Sequence, residues 1–229
     1  MLRSISPYKI PGLLLALFII AGCGQNTNSN NNDSVTTEAQ HAVSTSTKNI
    51  LFFGDSLTAG YGLEDPSEAF PGVIQTKVDS AKLPYSIINA GVSGETTAGG
   101  KSRIDWVLKQ KVDVFVLELG ANDGLRGIPV KETTENLQAI VDKVKAKYPS
   151  AKLVLLGMQV PPNMGSDYAS SFKAVFPQIA AKNKMGLVPF LLQGVGGVAS
   201  LNQKDGIHPT AAGAKIVAGN VWKVLRPLL

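Results

Sequence analysis

From Lys48 onward, short continuous apolar runs alternate with longer segments whose apolar residues recur every three or four positions. The runs Asn49–Phe53, Ser86–Ala90, Val112–Leu119, Lys152–Met158 and a weaker Gly186–Phe190 read as strands. The segments between them have helical spacing. Ser67–Ser80 carries Phe70, Val73, Ile74 and Val78, and Thr97–Gln110 carries Ile104, Val107 and Leu108. Val130–Lys147 sets Leu137, Ile140, Val141 and Val144 opposite a face rich in lysine and glutamate, as an amphipathic surface helix does. Ser166–Lys184 and Thr210–Leu225 are further helix candidates. Pro209 is expected in the first turn of the last one, where its missing N–H has no intrahelical partner.

Strands separated by helices predict an α/β fold: a central, mostly parallel sheet of about five strands between two helical layers. Strands covered on both faces read as unbroken apolar runs, and Val114-Phe115-Val116-Leu117 does so. Ligands of such sheets bind beyond the carboxyl ends of the strands. Ser56, the Gly91–Thr97 segment and the Gly120–Asn122 segment each follow a candidate strand, so all three belong at that one end.

The first 47 residues have a different character. Arg3 and Lys9 make a positive start, and Leu13–Ile20 is an apolar stretch. It is too short for a bilayer span, which takes ~20 apolar residues. Ile20-Ala21-Gly22-Cys23 then places small residues directly before a cysteine. This resembles the lipobox of bacterial lipoproteins, in which the cysteine is acylated and becomes the new N-terminus. Cys23 is the only cysteine of the chain, so it has no internal disulfide partner, and lipidation accounts for it. The Asn- and Ser-rich run after it has no large apolar residue to offset its ordering entropy and reads as a flexible tether. The expected organisation is a lipoprotein signal peptide over 1–22, a lipidated cysteine and tether over 23–47, and one folded domain over 48–229. The protein is then exported and membrane-anchored, at the outer membrane or in the periplasm if its source is Gram-negative; Gly24 after the cysteine favours the outer membrane.

Charge excludes some functions. The formal net charge of +5 falls to +3 when Arg3 and Lys9 are set aside, and no basic run interleaves with aromatics, so a nucleic-acid partner is not expected. The domain has one histidine and no cysteine from which to build a transition-metal site. It has no Gly-x-x-x-x-Gly-Lys loop for nucleotide phosphates.

The chemistry-bearing residues are few. Asn49–Phe53 ends abruptly in Gly54-Asp55-Ser56, and a buried strand that ends this way delivers a serine hydroxyl to the sheet edge. Far downstream, Asp205-Gly206-Ile207-His208-Pro209 supplies a carboxylate and an imidazole. His41, the other histidine, lies in the polar tract, so His208 is the one candidate base for Ser56. Asp205 is placed to orient its ring. A tetrahedral intermediate needs donors aimed at its oxyanion. The backbone N–H of Ser56, the backbone at Gly94 and the Asn122 side-chain amide are the candidates. Each motif alone is ordinary turn or cap chemistry; the set is what points to a hydrolase.

Gly54-Asp55-Ser56-Leu57, Gly94, Gly120-Ala121-Asn122-Asp123 and Asp205-Gly206-Ile207-His208-Pro209 resemble, in order, the four blocks of the GDSL or SGNH hydrolases. The stretches Gly54–Tyr61 and Glu118–Gly127 look more specifically like the thioesterase I, lysophospholipase and arylesterase branch. Ala121 departs from it where glycine is common. The resemblance implies a flavodoxin-like three-layer α/β/α sandwich. It also implies cofactor-free hydrolysis of small-molecule or lipid acyl esters, including lysophospholipids, aryl esters and thioesters, through an acyl-serine. Gly157–Met164, after the fourth strand, is a candidate acyl-chain loop. Two other readings stand beside this one: deacetylation of carbohydrate polymers, and a non-catalytic binding lipoprotein. The oligomeric state is left open, a monomer being compatible with such a site.

Overall fold

A computed structural model describes residues 47–229; the expected signal peptide, Cys23 and the expected tether lie outside the described residues. Five strands form one sheet: β1 (Lys48–Gly54), β2 (Tyr85–Gly91), β3 (Val114–Glu118), β4 (Lys152–Leu156) and β5 (Gly186–Val188). Their order is β2-β1-β3-β4-β5, and every pairing is parallel. Ile50, Leu51, Phe52 and Phe53 of β1 are wholly buried, as are Phe115, Val116 and Leu117 of β3. Apolar side chains on both faces of the central strands demand cover on both faces, and helices supply it. Helix α2 (Phe70–Ser80) packs with α7 (Ala211–Leu225). Helices α3 (Thr97–Val107), α5 (Val130–Lys147) and α6 (Ser166–Asn183) pack as a second layer. The expected α/β/α sandwich is the fold observed.

Two short helices escape the periodicity reading: α1 (Ser56–Ala59) and α4 (Ala121–Leu125). Helix α2 begins three residues later than expected. Asp65 caps a separate 3₁₀ turn at Pro66–Glu68 by accepting from Ser67 N–H at 2.7 Å. Pro209 is not in the first turn of α7. Its backbone forms an antiparallel bridge with Asn202, and Thr210 caps the helix instead, its hydroxyl accepting from Gly213 N–H at 3.3 Å.

The chain runs from β1 to β2 on one side, then returns across β1 to β3. The strand order therefore reverses beside β1, and that crevice is where such folds bind ligands. The register brings the strand ends level there: Gly54 pairs with Gly91 on one side and Glu118 on the other. Segments leaving β1, β2 and β3 thus start from one line. Among the described residues, no helix is long and apolar enough to cross a membrane.

Candidate active site

Ser56 is the first residue of α1, immediately beyond β1. The turn into this helix is tight. A Cβ at Gly54 would lie 2.1 Å from Thr58 Oγ1 and 2.5 Å from Glu118 Oε2, so only glycine fits there. Asp55 caps α1, its Oδ1 accepting Leu57 N–H at 3.0 Å. At the helix start the Ser56 N–H has no intrahelical partner.

His208 Nε2 lies 2.9 Å from Ser56 Oγ, and His208 Nδ1 lies 2.7 Å from Asp205 Oδ2. Asp205 uses its other oxygen to shape its own turn: Oδ1 accepts the N–H groups of Ile207 at 2.9 Å and His208 at 3.0 Å. The imidazole, aided by those two N–H groups, holds the Asp205 carboxyl at about 2, below its ordinary 3.8. An ionised Asp205 accepts from Nδ1–H, which leaves Nε2 free to accept the serine proton.

Two residues that the sequence reading passed over hold His208 in place. The Tyr61 ring stands 4.7 Å from the imidazole, centroid to centroid. Gln203 ties the two loops together. Its amide donates to Tyr61 O at 2.7 Å and Pro209 O at 3.0 Å, and its N–H donates to His208 O at 2.7 Å. The contacts of Tyr61 with His208 and Gln203 have no local sequence signal, since they join residues far apart in the chain.

Gly94 and Asn122 come to the same edge. Val92 N–H donates to Gly54 O at 3.0 Å, and Glu95 N–H closes a turn onto Val92 O at 3.2 Å. Gly94 sits in that turn at φ +78°, a conformation that side chains resist. Arg103 braces the loop, its guanidinium on Glu95 at 2.5 Å and Ala90 O at 2.8 Å. Asp123 joins it to α4, accepting Thr97 N–H at 2.8 Å and the Thr97 hydroxyl at 2.5 Å. Asn122 Nδ2 donates to Glu95 O at 3.0 Å and Asp55 Oδ2 at 3.1 Å. Both amide hydrogens are therefore engaged in the resting site, and Asn122 must exchange one to donate elsewhere. The N–H groups of Ser56 and Gly94 meet no protein acceptor among the described residues.

An apolar slot opens beside Ser56, between Leu57, Phe70, Leu192 and Val217, with a volume of about 10 Å³. That is room for one water at most. The candidate acyl loop rests at the same end, Val160 packing over Gly124 and Met164 near Gly127, but Met158 is buried in the core and closed to ligands. No cluster of three or more metal-ligating side chains occurs among the described residues.

A parallel sheet carrying a serine, a histidine and a carboxylate in line at its switch point is the setting of an ester hydrolase. The model of the GDSL-like Lipase/Acylhydrolase family matches residues 52–216, and the chain belongs to that family as a carboxylic ester hydrolase. It is 42% identical over 181 residues to esterase TesA of Pseudomonas aeruginosa, a match spanning 79% of this chain and 89% of the relative. It is 36% identical over 181 residues to the thioesterase 1/protease 1/lysophospholipase L1 of Escherichia coli strain K12, spanning 79% and 84%. The crystal structure of TesA matches with a TM-score of 0.76 at 42% identity, over 80% of this chain and 100% of that one.

Asp205 titrates below its unfolded value, so its contribution to stability is full above about pH 4 and is lost as pH falls toward about 2. The melting-temperature gap between the wild type and Asp205→Asn is expected to be constant near neutrality. It narrows across that acid window in a thermal-melt series.

Proposed function

We propose that this protein is a lipid-anchored serine esterase that cleaves acyl esters, lysophospholipids and thioesters among them, through an acyl-Ser56 intermediate. The observation that carries the reading is the unbroken line from Asp205 Oδ2 through the His208 ring to Ser56 Oγ, with spacings of 2.7 and 2.9 Å. His208 Nε2 takes the hydroxyl proton as Oγ attacks the carbonyl carbon. The imidazolium that forms is stabilised by Asp205 on one side, and the Tyr61 ring lies against it. Negative charge gathers on the carbonyl oxygen, which is met by the N–H groups of Ser56 and Gly94 and by Asn122 Nδ2. Asn122 joins by exchanging its bond to Glu95 O. His208 then returns the proton to the departing alkoxide or thiolate. A water, activated by the same imidazole, releases the acid and frees Ser56.

The names of the two relatives, an esterase and a thioesterase 1/protease 1/lysophospholipase L1, support this range of leaving groups. The slot of about 10 Å³ cannot house an acyl chain, so the chain lies along the open face of the site. A site open on that side takes more than one substrate class.

The test is turnover of p-nitrophenyl esters of graded chain length by the 48–229 fragment. Ser56→Ala and His208→Ala are each expected to abolish most turnover, and the double variant to add little, because the residues act as a unit. Asn122→Ala is expected to raise the barrier by about 2.7–4 kcal/mol through kcat. Turnover of acetate esters alone would move the reading to deacetylation of carbohydrates. Turnover that survives in Ser56→Ala would remove Ser56 from the mechanism.

The anchor rests on the leader ending in Ile20-Ala21-Gly22-Cys23. Metabolic labelling with an alkyne fatty acid is expected to mark the full chain in the membrane fraction. Cys23→Ser is expected to lose both the label and the membrane association. Label that persists in Cys23→Ser would place the acyl group elsewhere.

A further inference from the structure

Behind Ser56 lies an acidic group that no step of the proposed reaction uses. Glu118, the last residue of β3, is 1% exposed, and Asp55 beside it is wholly buried. Glu118 Oε2 accepts the backbone N–H of Asp55 at 3.1 Å and the Thr58 hydroxyl at 2.8 Å. Its Oε1 is buried and meets no protein donor among the described residues. Both oxygens of Asp55 are supplied, one by Leu57 N–H and the other by the Asn122 amide.

Among the described residues, no cation pairs with either carboxyl group. Arg103 comes within 3.4 Å of Gly54 O, but its charge is closed onto Glu95. His208 acts on Asp55 only across the site. Asp123, the other buried carboxyl nearby, is turned onto Thr97. Two adjacent carboxylates in a dry, cation-free setting cannot both carry charge. A proton on Glu118 makes it a donor to the adjacent Asp55 side chain, with which it is in hydrogen-bond contact, and fills the acid's unmet bonding.

We propose that Glu118 is a neutral carboxylic acid that donates its proton to Asp55, and that this acid–carboxylate pair is the positioning device for Ser56 and Asn122. Burial pushes both carboxyls upward, Asp55 to about 6 and Glu118 well above its ordinary range, the Asp55 charge adding to the effect on Glu118. The hydrogen bonds decide between them: both Asp55 oxygens have donors and Glu118 Oε1 has none, so the proton belongs to Glu118 and the charge to Asp55. The ionised Asp55 caps α1 and grips the Asn122 amide. The neutral Glu118 ties both the Asp55 backbone and Thr58 of α1 to the end of β3. Glu118 touches no reacting atom; it acts through what it holds.

The inference rests on the esterase reading for its effect on turnover, but its proton has a readout of its own. The folded state binds this proton more tightly than the unfolded chain. The resulting stability is full below the ordinary value of 4.5 and falls as pH rises from there toward the folded value. Glu118→Gln keeps the shape, the donor and the acceptor without the titration. Its melting temperature is expected to gain on that of the wild type as pH rises, and its kcat to stay within severalfold of wild type. Glu118→Leu leaves the Asp55 N–H and the Thr58 hydroxyl unpaired. It is expected to lower kcat roughly tenfold with little change in KM.

A melting-temperature gap that is flat, or that turns in favour of the wild type at higher pH, would mean that Glu118 is an anion and would overturn the proposal. So would a Gln variant as inactive as Leu. If Leu fails to fold, the Gln series still decides. If no variant, nor the wild type, cleaves esters, the esterase reading falls while the melting series still places the proton.

Discussion

The site depends on one constraint of backbone hydrogen bonding: three parallel strands end level. Gly54, Gly91 and Glu118 share a line in the ladder. Parallel strands have no short way to turn back, so each hands its chain to a helix at the same edge. Ser56, Gly94 and Asn122 sit on the three departures. Their convergence starts from register, and the Arg103, Asp123 and Asn122 contacts then fix the loops against one another. The cost is close packing at that edge, where Gly54 admits no side chain and Glu118 is sealed beneath the first turn of α1.

His208 arrives differently. It sits on a loop ahead of α7, not at a strand end, and nothing in the sheet fixes it. Its placement is made by Gln203, which fastens the loop to the segment after α1, and by the Asp205 turn, which spends one carboxylate oxygen on its own backbone. Two aspartates at the same site thus live in opposite settings. Asp205 lies at the surface and is held strongly acidic by its imidazole; Asp55 is dry and is pushed upward. Environment alone separates them.

Much of this was legible in the chain. Continuous apolar runs marked all five strands, and helical spacing marked the five longer helices. The boundaries drifted where apolarity outlasts pairing: Val112–Leu119 was expected as a strand, but only Val114–Glu118 pairs. The short helices α1 and α4 span about one turn, too little for a period to register. The sequence brought forward Ser56, Gly94, Asn122, Asp205 and His208, and the fold sets all five at one edge. It assigned no role to Gln203, nor to Tyr61 and Glu118, which it noted only as members of the Gly54–Tyr61 and Glu118–Gly127 stretches. Their contacts join distant positions, 142 residues apart for Gln203 and Tyr61, and no pattern of residue type foretells such pairs. The double engagement of the Asn122 amide was equally out of reach, because it depends on where a carbonyl from another loop falls.

The slot beside Ser56, with its room for a single water, bears on selectivity. A tunnel measures its guest against an end wall and rejects what overruns it. On the proposed reading the acyl chain lies along the open face, where no end wall measures it. A chain laid on an open face buries only one flank, so each added methylene contributes a fraction of the ~0.8 kcal/mol it would gain when enclosed. Preference among homologous chains then becomes a shallow gradient, and a cleaved acid leaves sideways, without backing out of a hole. Breadth of diet, on this view, is a property of missing volume.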